Sequence, residues 1–379
     1  MIEIIGKYNT AKVFTDTIES SAEGQIKTLC DQGFMKGSKI RIMPDVHAGK
    51  GCTIGTTMTI KDVVVPNMVG VDIGCGMETV KLKTKRLNLP ELDSFIHKNI
   101  PSGHAVRERP HRSHGRIDIS KLRCIGKLNN TQRIEKSLGT LGGGNHFIEV
   151  GKDEDDYLYL VIHSGSRNVG LQVASFYQDK AYQLAGGREQ KEIPYELASL
   201  SGADMEDYLH DMEIMQRFST LNRQIMKEVI LDGLKLKDDG SFSTIHNYID
   251  IENKLLRKGA VSAKNGETLL IPINMRDGSL ICTGLGNDDW NNSAPHGAGR
   301  LMSRTAAKNS FTLSSFKKEM EGIFTTSVNN ETLDECPMAY KPMEDIISKV
   351  TNTVTIDKII RPIYNFKASE NPIRRKGSR

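Results

Sequence analysis

Nine residues, Val69–Met77, constrain this chain more than any other stretch: they read "VGVDIGCGM". Glycines at 70, 74 and 76 permit positive φ and let the main chain approach a bulky neighbour. The apolar residues ahead of them, within "VVVPNMVGVDIG", read as a buried strand ending in a turn. On that turn stand a carboxylate, Asp72, and a thiol, Cys75. Two such donors are half of a metal site, and the other half has to come from distant parts of the chain.

The length, 379 residues, is enough for a substantial buried core. A net charge of +4 is too small to establish a nucleic-acid partner, so that inference must rest on local clusters. The first residues, "MIEIIGKYNTAKVFTD", lack a basic-then-apolar signal pattern, and no run approaches a membrane span. A cytoplasmic protein with no membrane partner is expected. Six cysteines, at 30, 52, 75, 124, 282 and 336, show no paired spacing. That argues against a disulfide framework and against a zinc ribbon.

Along the chain, residues 1–90 read as short strands with glycine turns. The basic, His- and Pro-rich segment 103–118, "GHAVRERPHRSHGRID", reads as an exposed loop. "DYLYLVIH" at 156–163 and the region 268–284 read as strands, and a helical stretch follows the glycines at 297–299. Residues 203–235 carry Met205, Leu209, Met212 and Met215, then Leu221, Ile225 and Val229, at helical spacing. Methionine fills irregular cores well, so this stripe reads as core. No low-apolar linker divides the chain. The expected architecture is α+β, a single large mixed domain over 1–379 with central β-sheets flanked by helices. Its site is assembled from strand ends and glycine-rich turns, and a basic mobile tail covers about 370–379.

Four more stretches share the character of the opening one: "MPDVHAGKG", "LGGGNHFIEV", "VIHSGSR" and "APHGAGR". A fifth, "IHNY", is plainer. Each puts a histidine beside glycine or at a strand end. A single such histidine is more often structural than a ligand, and a single cysteine is more often a small buried hydrophobe. Together, Cys75, Asp72, His146 and His163 offer thiolate, carboxylate and imidazole, which suit borderline divalent ions such as Mn, Fe, Co or Zn. This mixture is not the usual closed structural zinc set. A thiolate can bridge two ions, and paired ions suit in-line chemistry at phosphorus. The glycine runs "GTLGGGN" and "HGAGR" can present N–H groups to phosphates.

These segments, with "LLRKGA", "HGAGRLMSRTAAK" and "MAYKP", resemble those of the RtcB-type RNA-splicing ligases, a GTP- and manganese-dependent RNA ligase family. They run in the family's order from about residue 41 to the C-terminus. The resemblance implies that Cys75 touches two manganese ions, with Asp72, His146, His163 and His246 as further ligands. It implies that His296 is the nucleophile that takes GMP and that Asp45 orients it. Asn145, Phe147, Glu149, Asn247, Asn274, Ser279, Ala298, Gly299, Tyr340 and Lys367 fall where the family contacts the nucleotide. The implied reaction joins an RNA 3′-phosphate or 2′,3′-cyclic phosphate end to a 5′-hydroxyl end through histidine–GMP, in RNA repair or tRNA splicing. An archease-type activator is an implied partner.

The residue types suit that chemistry. A carboxylate on one imidazole nitrogen fixes the tautomer and orientation of the other. A carboxylate such as Glu149 can accept two hydrogen bonds from guanine, whereas adenine offers no matching donor pair, at a cost of about 1–3 kcal/mol. One segment departs: "PINMR" at 272–276 stands where the family usually has Pro-Gly-Ser-Met-Gly, and Pro295 stands where Cys or Ser is common. Arg276 can pair with phosphate oxygens there, and GTP is expected to stay preferred with weaker discrimination against ATP. Two rival readings are a metal-dependent phosphohydrolase and a catalytically silent RNA-binding paralogue. A hydrolase has no need of His296 with a dedicated aspartate, and a silent paralogue has no need of every ligand. The loop 103–118 and the tail Arg374–Arg379 are candidates to follow RNA phosphates.

Overall fold

A seven-stranded sheet carries most of the site. Its spatial order is Asp238–Ile245, Gly76–Leu82, Leu158–Ser164, Phe147–Lys152, Val354–Lys367, Gly278–Gly284 and Thr268–Asn274. Every neighbouring pair in it is antiparallel. A six-stranded sheet runs Ile2–Ile5, Thr10–Val13, Ile40–His47, Ile54–Thr59, Leu255–Lys258 and Asn247–Asp250, with one parallel pair between Thr10–Val13 and Ile40–His47. The computed structural model describes residues 1–189 and 193–368, so the tail at 370–379 and its proposed RNA contacts lie outside the described residues. The fold is α+β, with central sheets flanked by helices, as the sequence pattern implies.

The two sheets meet at His246. Asp238–Ile245 ends in the first sheet, Asn247–Asp250 begins in the second, and His246 is the single residue between them. A histidine at that crossing faces both sheets' strand ends, which is why it reaches the site.

The helix Gly202–Gly233 packs on the seven-stranded sheet and buries Met212, Met215, Phe218, Leu221, Ile225 and Ile230. The methionine stripe is therefore core, and each such side chain contributes about 1.5–3 kcal/mol by burial. The same helix holds site loops by polar contacts. Fully buried Arg223 donates to the carbonyls of Gly74 at 2.8 Å and Ser164 at 2.9 Å. Asn222 accepts from the N–H groups of Gly139 at 2.7 Å and Thr140 at 3.0 Å and donates to Gly165 O at 3.2 Å. Leaving such buried groups unpaired costs about 1–3 kcal/mol each, so one helix face fixes three loops at once.

Two expectations need correction. The buried strand expected before Asp72 shrinks to Val63–Val64, followed by a short 3-10 turn, Pro66–Met68, and the longer strand starts after Cys75, at Gly76. Pro66 has no N–H for a ladder, and positive φ at Gly70 and Gly74 bends the path that follows. Residues 1–90 are also not all strand. Ser20–Cys30 is a helix whose Ala22, Ile26, Leu29 and Cys30 are buried on one face, a 3.6-residue pattern hidden among polar residues. The segment 103–118 is irregular as expected, but its bases are not all free: Arg116 pairs with Glu228 at 2.9 Å and Arg112 with Asp232 at 3.2 Å.

Candidate active site

Five donor atoms converge at the strand ends. Cys75 Sγ lies 3.3 Å from His163 Nε2 and 3.5 Å from His146 Nε2. His163 Nε2 lies 3.4 Å from His246 Nε2, and Asp72 Oδ2 lies 2.9 Å from His146 Nε2. The ligand atoms of Cys75, His146 and His163 all fall within 4.8 Å of one another. Each arrives for a local reason. Cys75 follows Gly74, whose φ of +67° and contact with Ser219 leave no place for a side chain. His163 sits in the central strand Leu158–Ser164, paired across to Phe147 and Met77. His146 immediately precedes Phe147–Lys152.

The donor set fits a divalent cation. His146 Nδ1 is 2.8 Å from Leu141 O and His163 Nδ1 is 3.2 Å from Asn145 O. With the proton on Nδ1, each ring turns a bare Nε2 lone pair inward. Burial and the neighbouring imidazoles hold His163 and His246 well below the ordinary histidine range, so neither carries a charge of its own. Burial, with the Asp72 charge beside it, pushes the Cys75 thiol well above its usual value. Burial opposes the Asp72 carboxylate, but His146, Cys75 and Arg167 together hold it below the usual range. The His163 and His246 Nε2 atoms, 3.4 Å apart beside a carboxylate and a thiol, complete a donor set that could hold a divalent cation.

His296 stands next to this cluster, its ring centroid 5.1 Å from that of His246. Its Nδ1 is 2.6 Å from Oδ2 of fully buried Asp45. The strand Ile40–His47 loses its register against Ile54–Thr59 between Ile42 and His47, and this irregularity turns Asp45 toward His296. Gly299 lets the two segments close: with φ +75°, any side chain there would collide with the Asp45 backbone.

A cavity of about 210 Å³ opens beside His296. Of the expected nucleotide residues, Asn145, Phe147, Glu149, Asn274, Ser279, Ala298, Gly299, Tyr340 and Lys367 line it. Asn247 does not. Its side chain accepts from Gly259 N at 3.0 Å and donates to Asp72 O at 3.4 Å, so it supports the turn that carries Cys75. Arg276 does not face the cavity either: its guanidinium is held by Asp277 at 2.7 Å and by Glu319. Ile273 is buried and does line it. Burial pushes the Glu149 carboxyl up to about 8, with Asn365 and Lys367 opposing. A second cavity, about 550 Å³, opens on the other side of His146 and Asp72, lined by His104, Arg133 and Arg167.

The sequence reading missed Glu335, Arg304, Arg223 and Asn222. Buried Glu335 holds Lys367 at 2.8 Å and Arg304 at 2.6 Å, and accepts from Tyr340 Oη at 2.6 Å. Burial opposes its charge, but Lys367 and Arg304 bring its carboxyl down to about 2. No glycine or histidine marks "LDECPM", so nothing local sets this glutamate apart from a surface acid.

A thiol and imidazoles that could hold a metal ion converge beside a carboxylate-oriented histidine, the setting in which an RNA ligase fold keeps its polar residues. The chain belongs to the tRNA-splicing ligase RtcB family, whose profile matches two overlapping stretches, 28–127 and 113–368. It is 32% identical to the RNA-splicing ligase RtcB of Escherichia coli K12, over 92% of this chain and 95% of that one. It is 30% identical to the tRNA-splicing ligase RtcB of Aeropyrum pernix, over 93% and 94%. It is 26% identical to RNA-splicing ligase RtcB2 of another Escherichia coli strain, over 93% of each. Among the described residues, no helix is long and apolar enough to cross a membrane.

Proposed function

We propose that this chain is a single catalytic domain that joins RNA ends, 3′-phosphate or 2′,3′-cyclic phosphate to 5′-hydroxyl, through a GMP adduct on His296. The observation that carries the reading is the 2.6 Å contact between His296 Nδ1 and buried Asp45 at the mouth of a cavity that also receives Glu149 and Lys367. Asp45 keeps the proton on Nδ1, so Nε2 presents a lone pair. In the first step that nitrogen attacks the α-phosphorus of GTP, the N–P bond forms, and the bond to pyrophosphate breaks. An RNA 3′-phosphate oxygen then takes the GMP and frees His296. Last, the 5′-hydroxyl attacks the 3′-phosphorus and GMP leaves. Two manganese ions, held by Cys75, Asp72, His146, His163 and His246, would neutralise the triphosphate and polarise the attacked phosphorus.

The chain's own residues supply orientation. Glu149, once ionised, accepts the paired N–H donors of guanine, and Lys367 and Tyr340 are held in place by Glu335. The larger cavity, with Arg133 and Arg167 beside His146, suits RNA phosphates. Cytoplasmic location and an archease-type activator belong to the same reading.

The test is incubation with α-labelled GTP and manganese, followed by denaturing electrophoresis. Wild type should hold label that acid removes and base does not, as a phosphoramidate requires. His296→Ala should hold none. Equal labelling of His296→Ala would refute the nucleophile, and hydrolysis of GTP with no adduct would favour a phosphohydrolase.

A further inference from the structure

Cys52 and Lys258 make a pair that the proposed reaction does not use. Both are buried, Cys52 at 1% and Lys258 at 4% exposure. Lys258 Nζ lies 2.7 Å from Cys52 Sγ and 2.9 Å from Asn67 O. Among the described residues no carboxylate pairs with this amine, and its polar neighbours are the sulfur and the Asn67 carbonyl. The separation is short for sulfur: the other polar contacts of Cys52, to Asn67, are 3.6 Å, and those of Cys75 to imidazoles are 3.3 and 3.5 Å. A length of 2.7 Å falls within the range of about 2.7–3.2 Å for nitrogen to oxygen, although sulfur is the larger atom.

We propose that Cys52 and Lys258 are a site of oxidative cross-linking, in which one oxygen atom joins Sγ to Nζ. The co-reactant is dioxygen. An S–O and an O–N bond form, and the O–O bond breaks. Sulfur and nitrogen each lose two electrons, and the four electrons reduce dioxygen. One of its oxygen atoms becomes the bridge. The other leaves as water with two of the three protons shared by the thiol and amine, and the third stays on nitrogen. Dioxygen is small and apolar, so burial does not bar it.

The bridge would tie together two parts of the His296 framework. Cys52 lies between the strand Ile40–His47, which carries Asp45, and the strand Ile54–Thr59. Lys258 ends its own strand, and the next residue, Gly259, lies against His296. The two ends are 206 residues apart, so the link closes a long loop and removes much chain entropy from the unfolded state.

Aerated and anaerobically purified wild type, digested without reductant, would be compared by mass spectrometry. The expected product of aeration is a linked peptide pair containing residues 52 and 258, heavier than the two peptides by one oxygen and lighter by two hydrogens. It should be absent from anaerobic protein and from Cys52→Ser, and dithiothreitol should release it. Aerated wild type should also melt at a higher temperature than the reduced protein, with no such shift in Cys52→Ser. Separate peptides only, with Cys52 as a thiol or a sulfinic acid, would overturn the proposal. So would a linked pair lacking the extra oxygen.

Discussion

The two ends of the site solve the problem of buried polarity in opposite ways. At the cluster end, His163 and His246 are kept uncharged by burial, and the Cys75 thiol is pushed up. The positive charges near that end are Arg167 and Arg223, and its converging donors could hold a cation between them. At the cavity end, Glu335 keeps its charge despite burial because Lys367 and Arg304 surround it. That end is balanced before any ligand binds. The first end should therefore fail functionally when a side chain is removed, and the second should fail structurally.

The largest effect tests the first half of this contrast. On the proposed function, Cys75→Ala and His163→Ala should each weaken manganese binding and lower RNA joining by more than about 100-fold, since altering even a residue behind a ligand costs about 10–100-fold. Metal-free stability should move little, because a cysteine is a small loss from a core. Metal analysis together with denaturant melts separates the two. A Cys75→Ala protein that keeps its metal and joins RNA would break the contrast.

Next comes Glu335→Gln, which leaves buried Lys367 without its counter-charge. The expected loss is about 3–5 kcal/mol of stability, the cost of breaking a buried pair from one side. The sign with pH follows from the lowered carboxyl. Its stabilisation is complete above the ordinary value of 4.5 and disappears as pH falls from there toward about 2. Urea melts across that window should show an acid-dependent loss in wild type that is shallower in the variant. Identical pH profiles would mean that the network contributes nothing.

Glu149 gives a smaller effect, on binding. With its carboxyl raised to about 8, it is mostly neutral at lower pH, whereas the proposed guanine contact uses the ionised form. GTP affinity should therefore rise with pH, by at most about tenfold per unit, and level off above about 8. Isothermal titration should show this slope in wild type and not in Glu149→Gln, and a flat wild-type profile would remove Glu149 from base reading. The smallest effect is at the unusual 272–276 segment. Ile273→Gly should change GTP-over-ATP selectivity by a few-fold, under about 1.4 kcal/mol. Arg276→Gly should leave it unchanged, because Asp277 and Glu319 already hold that guanidinium. Competition labelling decides between them, and an Arg276 effect equal to that of Ile273 would show that this arginine reaches the nucleotide.

Much of the chain was legible because its signals are local. The helix Gly202–Gly233 announces itself by apolar spacing, and the strands around 158–164 and 268–284 by apolar runs. The cluster donors stand beside glycines, where short-range backbone demands leave a mark in the sequence. The short helix Ser20–Cys30 was lost because four buried positions in eleven polar-rich residues make a faint pattern. The strand expected before Asp72 was misplaced because apolar runs mark burial, while Pro66 and the positive-φ glycines decide direction.

By itself, then, the amino-acid order determined which donor types exist, which turns bend sharply and which helix face is apolar, since these depend on residues a few positions apart. Tertiary structure alone decided which of them meet. Asp45 finds His296 across 251 residues, Arg223 finds Gly74 across 149, and Cys52 finds Lys258 across 206. It also sent Arg276 to Glu319 and made Glu335, unremarkable in its own segment, the buried anchor of Lys367. Charge and burial are properties of a surrounding shell. That shell comes from strands brought together by sheet pairing, so no window of sequence contains it.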